Sequence, residues 1–173
     1  MAALNKKVLL VDVDLRKKAI SKELTPHSTL GLTNFLTDSK ITDYKRFIVS
    51  EIQPNLDLFP SGPTTTHSAE ILNTPKFTQF LTSVKETYDY VFLDDAPFLA
   101  LPDSEIVANH SDLIVVVASC QKTKVYDLAN MLDHFLQYGD KTVCLILNRT
   151  SSKNQLYYYY GESENSNTRL RAA

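Results

Sequence analysis

Two apolar segments decide the fold, Val8-Leu9-Leu10-Val11-Asp12-Val13-Asp14 and Tyr90-Val91-Phe92-Leu93-Asp94-Asp95, and each runs directly into aspartate. A continuous run of β-branched and aliphatic residues is typical of a parallel strand that is buried on both faces. The carboxyl ends of such strands open at the edge where α/β proteins bind ligands. Carboxylates at two of these ends suit Mg²⁺, which takes few protein ligands together with phosphate oxygens. The two segments therefore predict a metal and nucleotide site.

Glycine is scarce where a nucleotide site would need it. The chain has four glycines, none before the first apolar segment: Gly31, Gly62, Gly139 and Gly161. No G-x-x-x-x-G-K-[ST] sequence, whose backbone N–H groups cradle phosphates, occurs in the 173 residues. The sequence thus supplies carboxylates for a metal without a glycine-rich loop for the phosphates.

Composition indicates an ordinary soluble domain. A length of 173 residues with 43% hydrophobic and 22% charged residues is enough for one well-packed core. A net charge of −2 gives no general attraction to nucleic acid or to an anionic membrane, so neither is expected as a partner. The longest apolar run, Leu113–Ala118, is far shorter than the ~20 residues that cross a bilayer. We expect a cytoplasmic protein.

Apolar strands alternate with amphipathic helices along the chain, which predicts an α/β fold with a mostly parallel sheet and helices on both faces. The predicted strands are Lys7–Asp12, Leu56–Phe59, Tyr90–Leu93, Leu113–Ala118 and Thr142–Asn148. The predicted helices are Pro75–Thr87, Asp103–Asn109 and Lys124–Tyr138, with a short helical turn near Thr33–Leu36 in an otherwise irregular segment, Thr25–Thr42.

The chain changes character after the last predicted strand. From Ser151 onward it is rich in Ser, Asn and charge without a periodic apolar pattern, and four of the nine tyrosines are adjacent at Tyr157–Tyr160. Such a segment buries too little surface to offset its ordering entropy. We therefore expect a folded domain over residues 1–150 and a flexible tyrosine-rich tail over 151–173.

The two cysteines carry no metal or disulfide signature. Cys120 follows one apolar run and Cys144 lies within another, and neither shows C-x-x-C or Cys/His spacing. We expect both to be buried, reduced thiols.

Longer motifs resemble the bacterial tyrosine kinases (BY-kinases) of capsule and exopolysaccharide export systems, which are related to the MinD/ParA ATPases of the P-loop NTPase superfamily. The likeness runs in the family's order through residues 3–150 and ends in a tyrosine-rich tail. The matching segments are Val8–Arg16, Gly31–Leu36, Leu56–Leu72, Tyr88–Asp103, Asp112–Ala118 and Leu145–Asn148.

The resemblance implies a role for each candidate site residue in MgATP-dependent autophosphorylation. Asp12 would contact Mg²⁺ and act as the base toward the acceptor tyrosine, and Asp14 would support the same site. Asp94 would reach the metal as the Walker B aspartate. Asn148 would read adenine. Tyr157, Tyr158, Tyr159 and Tyr160 would accept phosphate within a ring of subunits or beside a membrane adaptor, which could recruit the chain to the inner face of the plasma membrane.

Each of these residues also has a purely structural interpretation. An aspartate after a strand commonly forms an Asx turn or caps a helix. Asn148 could be a simple turn residue after a strand, and the tyrosine run could be an adhesive segment with no acceptor role.

The chain also departs from the family pattern. The family's phosphate loop, with its lysine, precedes the strand that matches Val8–Asp12, so the chain is expected to begin within the helix that follows that loop. Asp95 stands where the family usually has Thr, and Ala96 replaces the first of two prolines. Arg16, Lys17 or Lys18 could only poorly replace the lysine and the fixed N–H groups of the loop. We expect weak MgATP binding and weak or no activity of this chain alone.

Three alternatives to an active kinase stay open. The chain could be a pseudokinase or interaction module that offers its tyrosines as a substrate. It could be a positioning ATPase of the MinD/ParA type, although those proteins lack the tyrosine run. It could also be a fragment of a longer kinase.

Overall fold

A computed structural model describes residues 1–97, 103–136 and 141–150. They belong to two compact units, one that ends at Asp112 and one that begins at Leu113. The predicted tail at 151–173, with its tyrosines, lies outside the described residues.

The first unit is built on a four-stranded sheet. Its strands are β1 (Val8–Asp12), β2 (Val49–Gln53), β3 (Leu56–Phe59) and β4 (Tyr90–Asp94), in the order β2-β3-β1-β4. β1 pairs in parallel with both β3 and β4, whereas β2 is antiparallel to β3. β1 is therefore an interior strand. Its neighbouring residues are buried on both faces of the sheet, which explains its uninterrupted apolar sequence.

Five helices accompany this sheet. They are α1 (Ala19–Leu24), α2 (Leu32–Thr37), α3 (Ser68–Leu72), α4 (Pro75–Lys85) and α5 (Asp103–His110). α4 begins with Pro75, whose fixed φ suits a first helical turn. Its buried residues are Phe77, Phe80, Leu81 and Val84, spaced at three and four residues so that one face is apolar.

The main apolar cluster lies on one face of the sheet. Alternate residues of β1 and the chain after it, Leu9, Val11 and Val13, are fully buried there. They belong to one cluster with Phe59 of β3 and the apolar face of α4. Aromatic rings fill it, for example Phe59 and Phe80 with centroids 5.1 Å apart.

The second unit contains the parallel pair of β5 (Leu113–Ser119) and β6 (Thr142–Asn148), together with α6 (Val125–Leu136). All seven residues of the two strands pair, from Leu113 opposite Thr142 to Ser119 opposite Asn148. The sheet has two strands, and apolar residues such as Val117 are exposed on it. Cys120 and Cys144 are free thiols but exposed, so the expectation that they are buried is wrong.

The predicted fold class is confirmed, since the sheets are mostly parallel and connected through helices. Of these strands and α-helices, three were not predicted, α1, β2 and α3, and neither were two short 3₁₀ helices, Ala2–Leu4 and Tyr44–Phe47. Helices of five or six residues are too short for a periodic pattern, and β2 reads Val-Ser-Glu-Ile-Gln, which is half polar. Among the described residues, no helix is both long and apolar enough to cross a bilayer.

Candidate functional site

Asp12 and Asp94 lie opposite each other where β1 and β4 end. The parallel register runs from Val8 opposite Tyr90 to Asp12 opposite Asp94. Beyond the strands, the N–H groups of Val13 and Asp14 both donate to the carbonyl oxygen of Asp94, at 2.9 and 3.2 Å. The structure therefore brings the two predicted aspartates together at one edge of the sheet.

The Asp12 carboxylate is buried and has two unlike oxygens. Its side chain is 0% exposed. Oδ2 accepts hydrogen bonds from the backbone N–H of Ser21 at 2.9 Å and from Ser21 Oγ at 2.6 Å. Oδ1 is equally buried but has no hydrogen-bond partner. Burial raises the pKa of Asp12, and the hydrogen bonds from Ser21 oppose that shift.

Asp14 makes the Asx turn that is the structural interpretation of an aspartate after a strand. Its Oδ1 accepts hydrogen bonds from the N–H groups of Arg16 and Lys17 at 3.1 and 2.9 Å. Bonds from the second and third residues onward define an Asx turn. Asp14 thus turns the chain after β1, and its nearly buried side chain lies close enough to Asp12 to raise the pKa of that residue.

Asp94 and Asp95 make this edge strongly acidic. Burial raises the pKa of Asp94, and the negative charges of Asp12 and Asp14 raise it further. Burial likewise raises the pKa of Asp95 from 3.8 to about 6, with smaller contributions from the charges of Asp103 and Asp14. The carboxylates therefore repel one another, and a cation that binds among them would relieve this repulsion.

The sequence did not predict a second buried polar cluster. Ser68 donates from Oγ to Oδ2 of Asp103 at 2.5 Å and accepts from Nε of Arg16 at 2.9 Å. Arg16 Nε also lies 3.5 Å from Asp103 Oδ2. Asp103 and Ser68 are 2% and 0% exposed. Ser68 is 35 residues from Asp103 and 52 residues from Arg16 in the sequence, so no local pattern could have indicated the cluster.

Two of the three basic candidates already have partners. Arg16 contacts Ser68 and Asp103, and Nζ of Lys18 donates to the carbonyl oxygen of Gly62 at 2.9 Å. Lys18 also adopts a left-handed backbone conformation as the residue before α1. Both side chains therefore hold the loop after β1 against the rest of its unit.

Asn148 is the last residue of β6, in the second unit. Its Oδ1 accepts a hydrogen bond from the N–H of Arg149 at 2.7 Å, and its carbonyl oxygen accepts one from Cys120 at 3.0 Å. The first contact is what a turn residue after a strand makes. The candidate acceptors Tyr157–Tyr160 lie outside the described residues.

The acidic edge offers Mg²⁺ one or two carboxylates and not a complete set of protein ligands. No group of three or more His, Cys, Asp or Glu side chains that could hold a metal by themselves exists in the described parts of the chain. Mg²⁺ does not need such a group, because it commonly binds one or two carboxylates and completes its shell with water and phosphate oxygens. Oδ1 of Asp12, which is buried and has no hydrogen-bond partner, is the carboxylate oxygen that a cation would contact.

Comparisons with known proteins show the family of the chain. A family model described as an AAA domain matches residues 1–145. "Tyrosine-protein kinase YwqD" of Bacillus subtilis (strain 168) is 32% identical over 161 residues, which are 92% of this chain and 67% of that protein. Of two other matched tyrosine-protein kinases, the chain spans only 20% and 22%.

Two solved structures share the fold. The VpsO kinase domain superposes with a TM-score of 0.77 at 28% identity, covering 86% of this chain and 73% of that one. The septum site-determining protein MinD from Pyrococcus horikoshii, complexed with Mg-ADP, gives 0.68 at 19% identity, covering 87% and 60%. The second likeness shows the fold alone.

Proposed function

Because the chain belongs to the family of AAA domains that includes the bacterial tyrosine-protein kinases, we propose that it is the carboxylate-bearing part of a protein-tyrosine autokinase. Such a domain transfers the γ-phosphate of ATP to clustered tyrosines and thereby regulates capsular or exopolysaccharide synthesis and export. The observation that carries the proposal is the pairing of Asp12 with Asp94 at the carboxyl edge of the sheet, with one oxygen of Asp12 unpartnered.

Asp12 is the proposed catalytic base. A tyrosine hydroxyl, with a pKa of about 10, needs a positioned proton acceptor to attack at neutral pH. Burial raises the pKa of Asp12, which makes its carboxylate a better acceptor than an exposed one. Oδ1 is the oxygen open either to the proton or to the metal, because Oδ2 already accepts two hydrogen bonds from Ser21.

The other residues take supporting roles. MgATP, when bound, supplies the phosphoryl group and neutralises charge on it. Asp94, with Asp12, would hold the metal, and Asp14 would keep its charge close to it. Asn148 would contact adenine, and Tyr157–Tyr160 would be the acceptors.

We expect this chain alone to bind MgATP weakly. Its sequence contains no glycine-rich phosphate loop, and Arg16 and Lys18 are engaged in other contacts. Several carboxylates would then face the polyphosphate with little positive charge to balance them. Isothermal titration of the purified chain with MgATP should show no binding in the micromolar range, and a micromolar dissociation constant would contradict this expectation.

A second candidate function is an interaction module whose tyrosines are phosphorylated by another kinase. The same absence of a glycine-rich loop sequence favours it. Its partners would be further copies of the chain or a membrane adaptor of a polysaccharide export system, met at the cytoplasmic face of the membrane.

One experiment separates the two functions. The chain is incubated with MgATP alone, and in parallel with catalytic amounts of active YwqD, and phosphotyrosine is detected by immunoblot. Signal with MgATP alone, lost in Asp12→Asn, supports the autokinase. Signal only in the mixture supports the substrate function, and no signal in either arm contradicts both.

The acceptor residues need their own control. Replacement of Tyr157–Tyr160 by Phe should remove the signal. Tyr126→Phe should leave it unchanged, since Tyr126 is a 74% exposed tyrosine on α6 that is separate from the run.

A further inference from the structure

Ser21 makes more contacts than a short helix requires. It is the third residue of α1 and is 7% exposed. Its N–H and its hydroxyl both donate to the same atom, Oδ2 of Asp12, at 2.9 and 2.6 Å. The N–H contact alone would satisfy the open amide of a helix start. The hydroxyl contact is additional, and it holds the carboxylate at a second point.

Ser61 supports Ser21 from the loop after β3. The backbone N–H of Ser61 lies 2.9 Å from Oγ of Ser21, and its hydroxyl lies 3.2 Å from the same atom. A hydroxyl has one proton, and that of Ser21 goes to Asp12, so Oγ of Ser21 accepts both contacts. The hydrogen bonds therefore run in one direction, from Ser61 to Ser21 to Asp12, and all three residues are buried.

Ser61 is itself fixed by the beginning of α2. Its carbonyl oxygen accepts hydrogen bonds from the N–H and the hydroxyl of Thr33, each at 2.9 Å. The preceding carbonyl oxygen, of Pro60, accepts one from the N–H of Leu32 at 2.8 Å. The start of α2 therefore holds the loop, the loop holds Ser21, and Ser21 holds the carboxylate.

We propose that Ser21 is a positioning residue for Asp12, supported by Ser61. The two serines fix the rotation of the carboxylate, so that Oδ2 is saturated and Oδ1 is left as the oxygen for a cation or a tyrosine proton. The inference rests on the proposed function, because it concerns the use of Asp12 at that site.

A positioning role and a capping role predict different results for Ser21→Ala. That substitution removes only the hydroxyl, and the backbone N–H bond to Oδ2, which caps the helix, can still form. If Ser21 only capped α1, Ser21→Ala would leave the metal affinity of the Asp12 carboxylate unchanged. If Ser21 positions Asp12, the carboxylate rotates more freely and its metal affinity falls.

The test uses Mn²⁺ as the probe, since it replaces Mg²⁺ and its free form is measured by electron paramagnetic resonance. The purified full chain is titrated with Mn²⁺, with and without ADP. We expect Asp12→Asn to abolish Mn²⁺ binding and Ser21→Ala to weaken it about tenfold, as loss of a partner that orients a metal ligand commonly does. Ser21→Thr, which keeps the hydroxyl, should restore it, and Ser61→Ala should weaken it less.

Ser83→Ala is the matched control. The Ser83 hydroxyl also donates a hydrogen bond, to the carbonyl oxygen of Gln79, but on the exposed side of α4. This variant should bind Mn²⁺ as the unmodified chain does. Circular dichroism checks that each variant folds. If Ser21→Ala fails to fold, tighter Mn²⁺ binding by Ser21→Thr than by Ser61→Ala supports the positioning role, and equal binding by the two variants contradicts it.

The outcomes separate the two proposals. If the unmodified chain binds Mn²⁺ through Asp12 and Ser21→Ala binds it equally well, the positioning role is wrong while the metal site stands. If the unmodified chain binds no Mn²⁺ with or without ADP, the metal site is wrong, and the positioning role fails with it.

Discussion

At the scale of single residues, the edge formed by β1 and β4 concentrates negative charge that the fold does not itself neutralise. Asp12 and Asp94 are paired across the strands, and burial raises the pKa of both. An uncompensated buried carboxylate oxygen, such as Oδ1 of Asp12, costs about 1–3 kcal/mol or more in stability. Such a cost is typical of a site that is completed by a ligand.

Asp95 should make the free energy of unfolding depend on pH. Its pKa is raised to about 6 in the folded protein from an ordinary value of 3.8, so folding favours its protonated form. The free energy of unfolding should therefore fall as the pH rises from about 4 to about 6, and then level off. A shift of this size corresponds to at most about 3 kcal/mol, and partial exposure reduces it to about 1–2 kcal/mol.

Asp95→Asn should remove this contribution. Urea denaturation at pH 7.5 should show the variant to be about 1–2 kcal/mol more stable than the unmodified chain, with a smaller difference at pH 4.5. An equal difference at both pH values would show that Asp95 is not protonated preferentially in the folded state. Asp133→Asn is a suitable control, because Asp133 is an exposed aspartate on α6.

At the scale of elements, the loop after β3 and the start of α2 form one interlocked unit. Gly31 precedes α2 and lies against this loop, where a Cβ on Gly31 would be 2.1 Å from the carbonyl oxygen of Pro60. The φ of Gly31 is 179°, which any residue can adopt, so the need for glycine is the close approach of two backbones. The Gly31–Leu36 and Leu56–Leu72 motifs are thus two sides of one contact.

Gly31→Ala should therefore separate α2 from the loop. We expect a loss of about 2–3 kcal/mol in the free energy of unfolding, since backbone atoms cannot yield as a flexible side chain can. Urea denaturation followed by circular dichroism measures it. Asn34→Ala is the control: it removes the 3.0 Å hydrogen bond from Gly31 N–H to Asn34 Oδ1 without adding an atom, and should cost about 1 kcal/mol. Equal losses in both variants would contradict the steric explanation.

At the scale of the whole molecule, the buried apolar residues are distributed unequally between the two units. The main core cluster, from Leu9 to Val107, lies entirely within residues 1–112. In the described part of the second unit, the buried apolar residues are Val116, Ala118, Met131 and Phe135. A two-stranded sheet with so small a core is marginally stable by itself.

A fragment of residues 1–112 should consequently fold by itself. It should show a cooperative urea transition and dispersed amide signals in NMR spectra, whereas a fragment of residues 113–173 should show neither. The full chain, measured under the same conditions, is the reference. An unfolded 1–112 fragment would mean that its core depends on the remainder of the chain.

The amino-acid sequence alone determined the parallel α/β class and the two aspartate-ended strands, because apolar runs that end in aspartate are patterns within a few neighbouring residues. It also determined the family, because several longer motifs occur in the family's order along the chain. It did not indicate α1, β2 or α3, whose short or half-polar sequences carry no periodic signal.

Only the tertiary structure decided which oxygen of Asp12 is unpartnered and that Ser21 and Ser61 hold the other one. It also decided that Asp14 makes a turn and that Arg16 is committed to Ser68 and Asp103. The serine contact spans 40 positions of the chain and the Ser68–Asp103 contact 35. Folding alone brings such distant polar side chains within hydrogen-bonding distance, and their local sequence gives no sign of the partner.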